Sequence, residues 1–263
     1  MSYRTTDWRF DPETMFALDD RTAVVTGGAS GLGRAIALGV AARGASVAVL
    51  DVDTASADKV ATAITDGGGS AIAVEADVTD ENSLADARDT VLDAFGDYDT
   101  LYNVPGTNVR VPVLDLDPAD WRAVIELNLT GVFLSAKVLG EHLVERGEGS
   151  VVNMASIRGL DGGAAQSAYS ASKGGVVQFT KVLAAEWAPN VRVNALAPGY
   201  AKTPLVREAM ADEEWYEEMR DGHLLDRFAD PEEVAGAAVF LVSDAASFVT
   251  GATLPVDGGW TAV

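Results

Sequence analysis

The stretch TAVVTGGASGLGRAIA (residues 22–37) reads as a β-branched strand, a glycine-rich turn and the opening of an alanine-rich helix. Glycines at 27, 31 and 33 permit a tight turn and let backbone approach an anion closely. The helix that follows offers its first unpaired N–H groups to that anion, a pyrophosphate being the best fit. A glycine pattern alone is weak evidence, so its surroundings decide. A second apolar strand ends in VAVLDVD, which puts Asp51 at 51 − 33 = 18 residues beyond the last glycine. At that distance a carboxylate accepts hydrogen bonds from a ribose hydroxyl pair. The expected cofactor residues here are Gly27, Ser30, Gly31, Leu32, Gly33 and Asp51. Neither Ser30 nor Val52 carries the positive charge that a 2′-phosphate needs, and Asp51 would repel one. The expected cofactor is therefore NAD, not NADP.

The same alternation continues along the chain. TAVVT (22–26), SVAVL (46–50), SAIAV (70–74), TLYNV (100–104), SVVNM (150–154), VRVNAL (191–196) and ATLPV (252–256) read as strands. Most are apolar on both faces, as parallel strands covered by helices are. Segments such as LGRAIALGVAARG and EEVAGAAVFLV supply the helices. This order predicts an α/β fold: one doubly wound Rossmann domain over residues 1–263, a seven-stranded parallel sheet with helices on both faces. There is no internal repeat and no linker. One long interval lacks a strand, from about Tyr200 to Asp230, and holds ADEEWYEEMRDGHLL. Following the sixth strand, it lies on the ligand side of the sheet, so residues 200–230 are a candidate substrate lid.

Charge and composition narrow the function. The chain of 263 residues carries 40 acidic against 19 basic residues, a net charge of −21, and no cysteine. Thiolate metal sites, thiol nucleophiles and disulfides are excluded. A surface this acidic repels nucleic acid and anionic membranes, leaving a small-molecule substrate as the expected partner. The N-terminal MSYRTTDWRFDPETMFALDD lacks an apolar core of signal-peptide length, and no later run reads as long and apolar enough to span a bilayer. A cytoplasmic protein is expected. With five Lys among its basic residues and so many acids, the composition fits a salt-adapted, halophilic source, an ordinary acidic enzyme being the alternative.

AYSASKGGV (168–176) is a run of small residues interrupted by Tyr169 and Lys173, four apart. On its own it could be a helix surface with an exposed aromatic and a solvated lysine. Together with the TGGASGLG loop, however, it resembles the short-chain dehydrogenase/reductase family, and the resemblance runs from about Phe16 to the C-terminus. DVT at 77–79 matches the family's adenine-contacting pair, implying Asp77 and Val78. NLTG holds its active-site asparagine, Asn128, and NMAS ends at the position of its serine, Ser156. The serine-to-tyrosine spacing, 169 − 156 = 13, agrees as well. APGYAKT matches the segment whose Pro198, Gly199 and Thr203 would hold the nicotinamide side, and the ending VDGGW is typical. The family's Asn-Asn-Ala-Gly becomes NVPG: Asn103 and Gly106 survive as implied cofactor residues, while Val104 and Pro105 depart from it. Proline there removes a backbone donor.

The resemblance implies an NAD-dependent oxidoreductase whose catalytic residues are Asn128, Ser156, Tyr169 and Lys173. A phenol is a poor base at neutral pH. One helical turn puts the Lys173 ammonium on the Tyr169 face, where it favours phenolate. Ser156 would orient the substrate oxygen, and Asn128 would order a water linking Lys173 to solvent. Arg110, Arg158 and Gln166 are the expected substrate residues, joined by Ser156. Arginine forks suit a carboxylate, and Gln166 suits hydroxyls. A sugar, polyol or sugar acid is the expected substrate, in the manner of gluconate 5-dehydrogenase-like members. A 3-oxoacyl thioester reductase and a non-catalytic NAD-binding regulator are the alternatives. His142 and His223 have no ligand-like spacing, so no metal is expected, and both are assigned to surface or lid positions. Family members are commonly tetramers or dimers, so a homo-oligomer is expected, with the apolar FVTGATLPVDGGWTAV a candidate interface.

Overall fold

The computed structural model describes residues 14–207 and 209–262. The N-terminal stretch 1–20, read above as lacking an apolar core of signal-peptide length, falls mostly outside them. Seven strands form one parallel sheet in the order β3-β2-β1-β4-β5-β6-β7. They are β1 (Thr22–Thr26), β2 (Ser46–Asp51), β3 (Ala71–Glu75), β4 (Thr100–Asn103), β5 (Gly149–Met154), β6 (Val191–Pro198) and β7 (Thr253–Val256). Each lies within two residues of its expected bounds. The order reverses between β1 and β4, and a crevice opens there at the strands' carboxyl ends.

Both faces of the sheet are dry, which is why the strands read as unbroken apolar runs. Val25, Val47 and Val49 pack with Ile36 and Val40 of α1 (Gly31–Ala41), Val60 of α2 (Thr54–Asp66) and Val239 of α9 (Pro231–Val242). Their neighbours Val24, Ala48 and Leu50 turn the other way. They meet Leu84 and Val91 of α3 (Glu81–Phe95), Leu139 of α5 (Gly131–Arg146) and Leu183 of α6 (Ser167–Trp187). Every such side chain taken from water contributes roughly 1.5–3 kcal/mol.

One expectation is corrected. α4 (Pro118–Ile125) runs through a single π-helical turn, Glu126–Thr130, into α5 without a break. The resulting 29-residue helix, Pro118–Arg146, has a stretch of mean hydropathy 1.4, long and apolar enough to cross a bilayer. Half of that stretch is buried inside the protein. A helix wedged against a buried sheet is apolar for the same reason a membrane span is, so composition does not separate the two.

Between β6 and α9 the chain makes an excursion through α7 (Pro204–Arg207) and α8 (Glu213–Asp221). Its two feet are tied together. Ala201 and Ala229 form a parallel bridge, with Ala229 N–H donating to Tyr200 and Lys202 N–H to Ala229. The interval expected to be a lid is thus a closed excursion standing on the ligand end of the sheet.

Candidate active site

At the switch point lies a cleft of about 340 Å³. One end is built by the glycine loop. Gly27 and Gly31 have φ of +67° and +52°, in the left-handed region that glycine tolerates. Gly33 is N3 of α1's first turn, and a Cβ there would collide with the Gly27 carbonyl oxygen. This leaves a cradle of bare backbone that any side chain would fill. Asp51, ending β2, accepts hydrogen bonds from Ala29 N–H (3.1 Å) and Asp53 N–H (3.0 Å), so it also braces the loop. Ser30, Leu32, Asp77 and Val78 line the same end. The cradle, the acid and the helix N-terminus fit a dinucleotide.

The other end is catalytic in its chemistry. Tyr169 stands in the first turn of α6 and Lys173 one turn later. Lys173 is 2 % exposed, and its Nζ donates to the Met154 carbonyl at 2.7 Å. Among the described residues its other two donors have no partner, and Lys173 is part of the cleft lining, where a ligand can take them. Burial drags the ammonium down to about 8 from 10.5. Tyr169 opens one side onto the cleft, with the Lys173 Nζ 5.9 Å from its ring centre. Desolvation pushes the phenol above its usual 10, while the Ser156 hydroxyl, Arg110 and Arg158 pull it back. Burial outweighs these pulls, and Lys173 is not among them. Ser156, 7 % exposed at the end of β5, also accepts from Arg158 N–H at 3.1 Å.

Gly27, Gly31, Gly33, Gly106, Pro198, Gly199, Thr203, Gln166, Arg110 and Arg158 all line the cleft, as expected. Asn103 does not. It is 1 % exposed, and its amide donates to Asn153 across the β4–β5 register and accepts from Ser135. Expected among the cofactor residues, Asn103 lies outside the cleft lining, and its side chain stitches the sheet instead. Asn128 sits in the π-helical turn, fully buried behind the cleft. Its Oδ1 accepts from Thr107 N–H (2.8 Å), and its Nδ2 donates to the Thr107 carbonyl (2.9 Å) and Ser172 Oγ (3.1 Å). The amide is thereby spent on fixing the loop after β4, the loop that carries Arg110.

The two arginines differ. Arg158 has a side chain 11 % exposed, paired with Asp161 at 3.3 Å and stacked over the Trp260 ring at 4.9 Å. Asp161 in turn accepts from Trp260 Nε1–H at 2.9 Å. Arg110 is exposed at the cleft mouth, its guanidinium 4.5 Å over the Trp215 ring of α8. Among the described residues no carboxylate lies within ion-pair distance of it. The loop bearing it is also held by Val111 N–H donating to the Ala165 carbonyl at 2.9 Å. Ala165 takes φ +56°, a left-handed conformation that costs an alanine about 1–2 kcal/mol, and hands the chain directly to the buried Gln166.

Sequence reasoning missed the aromatic wall. Tyr200 is 7 % exposed, with Trp215, Phe228 and Trp260 ring centres at 5.4, 5.3 and 5.6 Å. The EEWYEEM pattern signalled only a polar helix; nothing local said which of its aromatics faced in. His223, assigned to surface or lid, lies in the excursion but is 3 % exposed. Its ring pairs with the Met219 carbonyl (2.8 Å) and Tyr200 N–H (3.3 Å). Among the described residues no cluster of His, Asp and Glu could hold a metal.

A doubly wound sheet, a glycine cradle ending in an acid, and a Ser–Tyr–Lys set across the cleft define a nicotinamide-dependent oxidoreductase fold. Comparison with known proteins agrees. A family model described as enoyl-(acyl carrier protein) reductase matches residues 27–261. The chain is 48 % identical to the cis-4-hydroxycyclohexanecarboxylate dehydrogenase of Sinomonas cyclohexanicum over 94 % of its length and 99 % of that protein. It is 41 % identical to the galactitol 2-dehydrogenase (L-tagatose-forming) of Cereibacter sphaeroides, covering 95 % and 99 %. The gluconate 5-dehydrogenase of Burkholderia cenocepacia, solved with NADP and tartrate, superposes with a TM-score of 0.93 at 34 % identity, covering 96 % and 100 %. The chain belongs to the short-chain dehydrogenase/reductase family.

Proposed function

We propose that this protein is an NAD-dependent dehydrogenase for a secondary alcohol on a sugar, polyol or sugar acid, with Tyr169 as its general base and acid. The observation that carries the reading is the meeting of Ser156, Tyr169 and Lys173 with two arginines and Gln166 at one end of the cleft. The chemistry the cofactor supplies is hydride acceptance at its nicotinamide ring. The residues do the rest. Ser156 donates to or accepts from the substrate oxygen and holds it beside Tyr169 Oη. Tyr169 takes the hydroxyl proton during oxidation and returns it in the reverse direction. The free donors of Lys173 hold ribose hydroxyls, and its positive charge eases loss of the phenolic proton.

Asp51 supports NAD over NADP. The cations lining the cleft are Arg110, Arg158 and Lys173, all at the catalytic end, and Val52 beside Asp51 is exposed. A 2′-phosphate would meet a carboxylate and no counter-charge. The relatives named for carboxylate-bearing and polyol substrates support a hydroxylated substrate, and the carboxylate reading rests on the unpaired Arg110. The second reading is a 3-oxoacyl thioester reductase, favoured by a relative of that name that is 40 % identical over 248 residues. The charge of −21 opposes an acidic carrier protein. A non-catalytic regulator would tolerate loss of Ser156, Tyr169 or Lys173, and all are present.

A homo-oligomer completes the reading. β7 is an edge strand, and Phe248 just before it is fully exposed, as a subunit contact would be. The test is cofactor reduction by purified protein, in low and molar salt, with NAD⁺ and NADP⁺ against aldonates, polyols, cyclic hydroxy acids and 3-hydroxyacyl thioesters. NAD-dependent turnover of the first three groups is expected; turnover confined to thioesters would replace this reading with the second.

A further inference from the structure

We propose that Trp215 is a positioning residue for anion recognition, serving as the seat on which Arg110 is held over the substrate. The inference rests on the dehydrogenase reading above and deepens it. An arginine at a cleft mouth is long and mobile, and ordering its side chain costs on the order of 1.5–2 kcal/mol. Here the guanidinium lies over an indole at 4.5 Å, within the range of a cation–π contact. Among the described residues its N–H groups donate no hydrogen bond, so the fork is unspent.

The contrast with Arg158 assigns the roles. Arg158 is nearer the serine in sequence, but its charge is already matched by Asp161, and its guanidinium also donates to the Gly162 carbonyl and Tyr200 Oη. A second carboxylate arriving there would meet Asp161. Arg110 has no acidic partner among the described residues, yet its charge reaches Tyr169. The backbone of its loop is fixed by Asn128 and Ala165, while the guanidinium rests on Trp215. Substrate charge is thus read by two segments at once, the loop after β4 and helix α8 of the excursion.

The test uses matched pairs on the full-length protein with saturating NAD⁺: D-gluconate against sorbitol, and cis-4-hydroxycyclohexanecarboxylate against cyclohexanol. Arg110→Met should raise the acid-to-neutral ratio of KM within a pair on the order of tenfold to a hundredfold, the size of a charged hydrogen-bond loss. Trp215→Leu should raise KM for the acid roughly three- to tenfold, with kcat held. Trp215→Phe, which keeps a ring face, should recover most of that loss. A Trp215→Leu variant that weakens acid and neutral member alike, or a Phe variant no better than Leu, overturns the proposal. If neutral alcohols alone turn over in the wild type, the proposal fails while the dehydrogenase stands. If no member of any pair is oxidised with either cofactor, the dehydrogenase reading itself fails.

Discussion

The two ends of the cleft carry opposite charge. At the phosphate-loop end the ionised side chains are Asp51 and Asp77; at the catalytic end they are Arg110, Arg158 and Lys173. In a chain of net charge −21, three cations converging on one end of one crevice is a large local departure from the rest of the surface. The difference teaches that the cleft is polarised along its length. On the proposed function, the acid end selects neutral ribose hydroxyls and the basic end gathers an anionic substrate. Such a field acts before contact, by steering, as well as after it.

The comparison breaks most decisively at Tyr169. Tyr169→Phe should lower kcat at least a thousandfold while NAD binding, read by tryptophan quenching, changes less than threefold, because the acid end is untouched. Retained turnover would remove the basic end's catalytic role.

Next in size is the cost of the buried lysine. Its ammonium is depressed from 10.5 to about 8 by desolvation. Between those values the unfolded chain binds more protons than the folded one, so stability rises with pH across roughly 8 to 10.5. Below pH 8 the buried charge costs the ligand-free protein on the order of 3 kcal/mol. Lys173→Met should therefore be inactive yet melt higher than wild type at pH 7, the gap closing by pH 10. Equal melting at both pH values would show that the ammonium is not desolvated.

The smallest effect lies at the acid end. Asp51→Ala should raise KM for NAD⁺ about tenfold, from the loss of charged hydrogen bonds, and raise the NADP⁺/NAD⁺ preference ratio. Initial rates with each cofactor measure this. An unchanged ratio would sink the argument that the carboxylate selects the cofactor.

The acid end was also the end legible in sequence. Glycines 27, 31 and 33 are fixed by backbone geometry, and an acid after β2 by the reach of a ribose, so short-range spacing carries the information. The strands were legible for a similar reason: burial on both faces leaves apolar runs such as VAVL with no competing period. The basic end is assembled from distant pieces. Arg110 meets Trp215 across 105 residues, 215 − 110, and Arg158 meets Trp260 across 102, 260 − 158. No local pattern announces such pairs. Asn103 misled because a motif position fixes a residue without saying which way its side chain faces. The π-helical turn at Asn128 was invisible, and the Thr107 N–H that its side chain accepts from comes from another loop.

The bridge between Ala201 and Ala229 has a consequence for how this scaffold can change. Both feet are clipped together beside β6, and the stretch between them is also held by Leu225 N–H on the Gly258 carbonyl and by its aromatics packed on Tyr200 and Trp260. Closing a longer loop between such fixed feet is entropically cheap. The segment behaves as an exchangeable cassette. Transplanting the corresponding stretch of a relative between these two alanines should carry substrate preference with it, while leaving cofactor choice to the host.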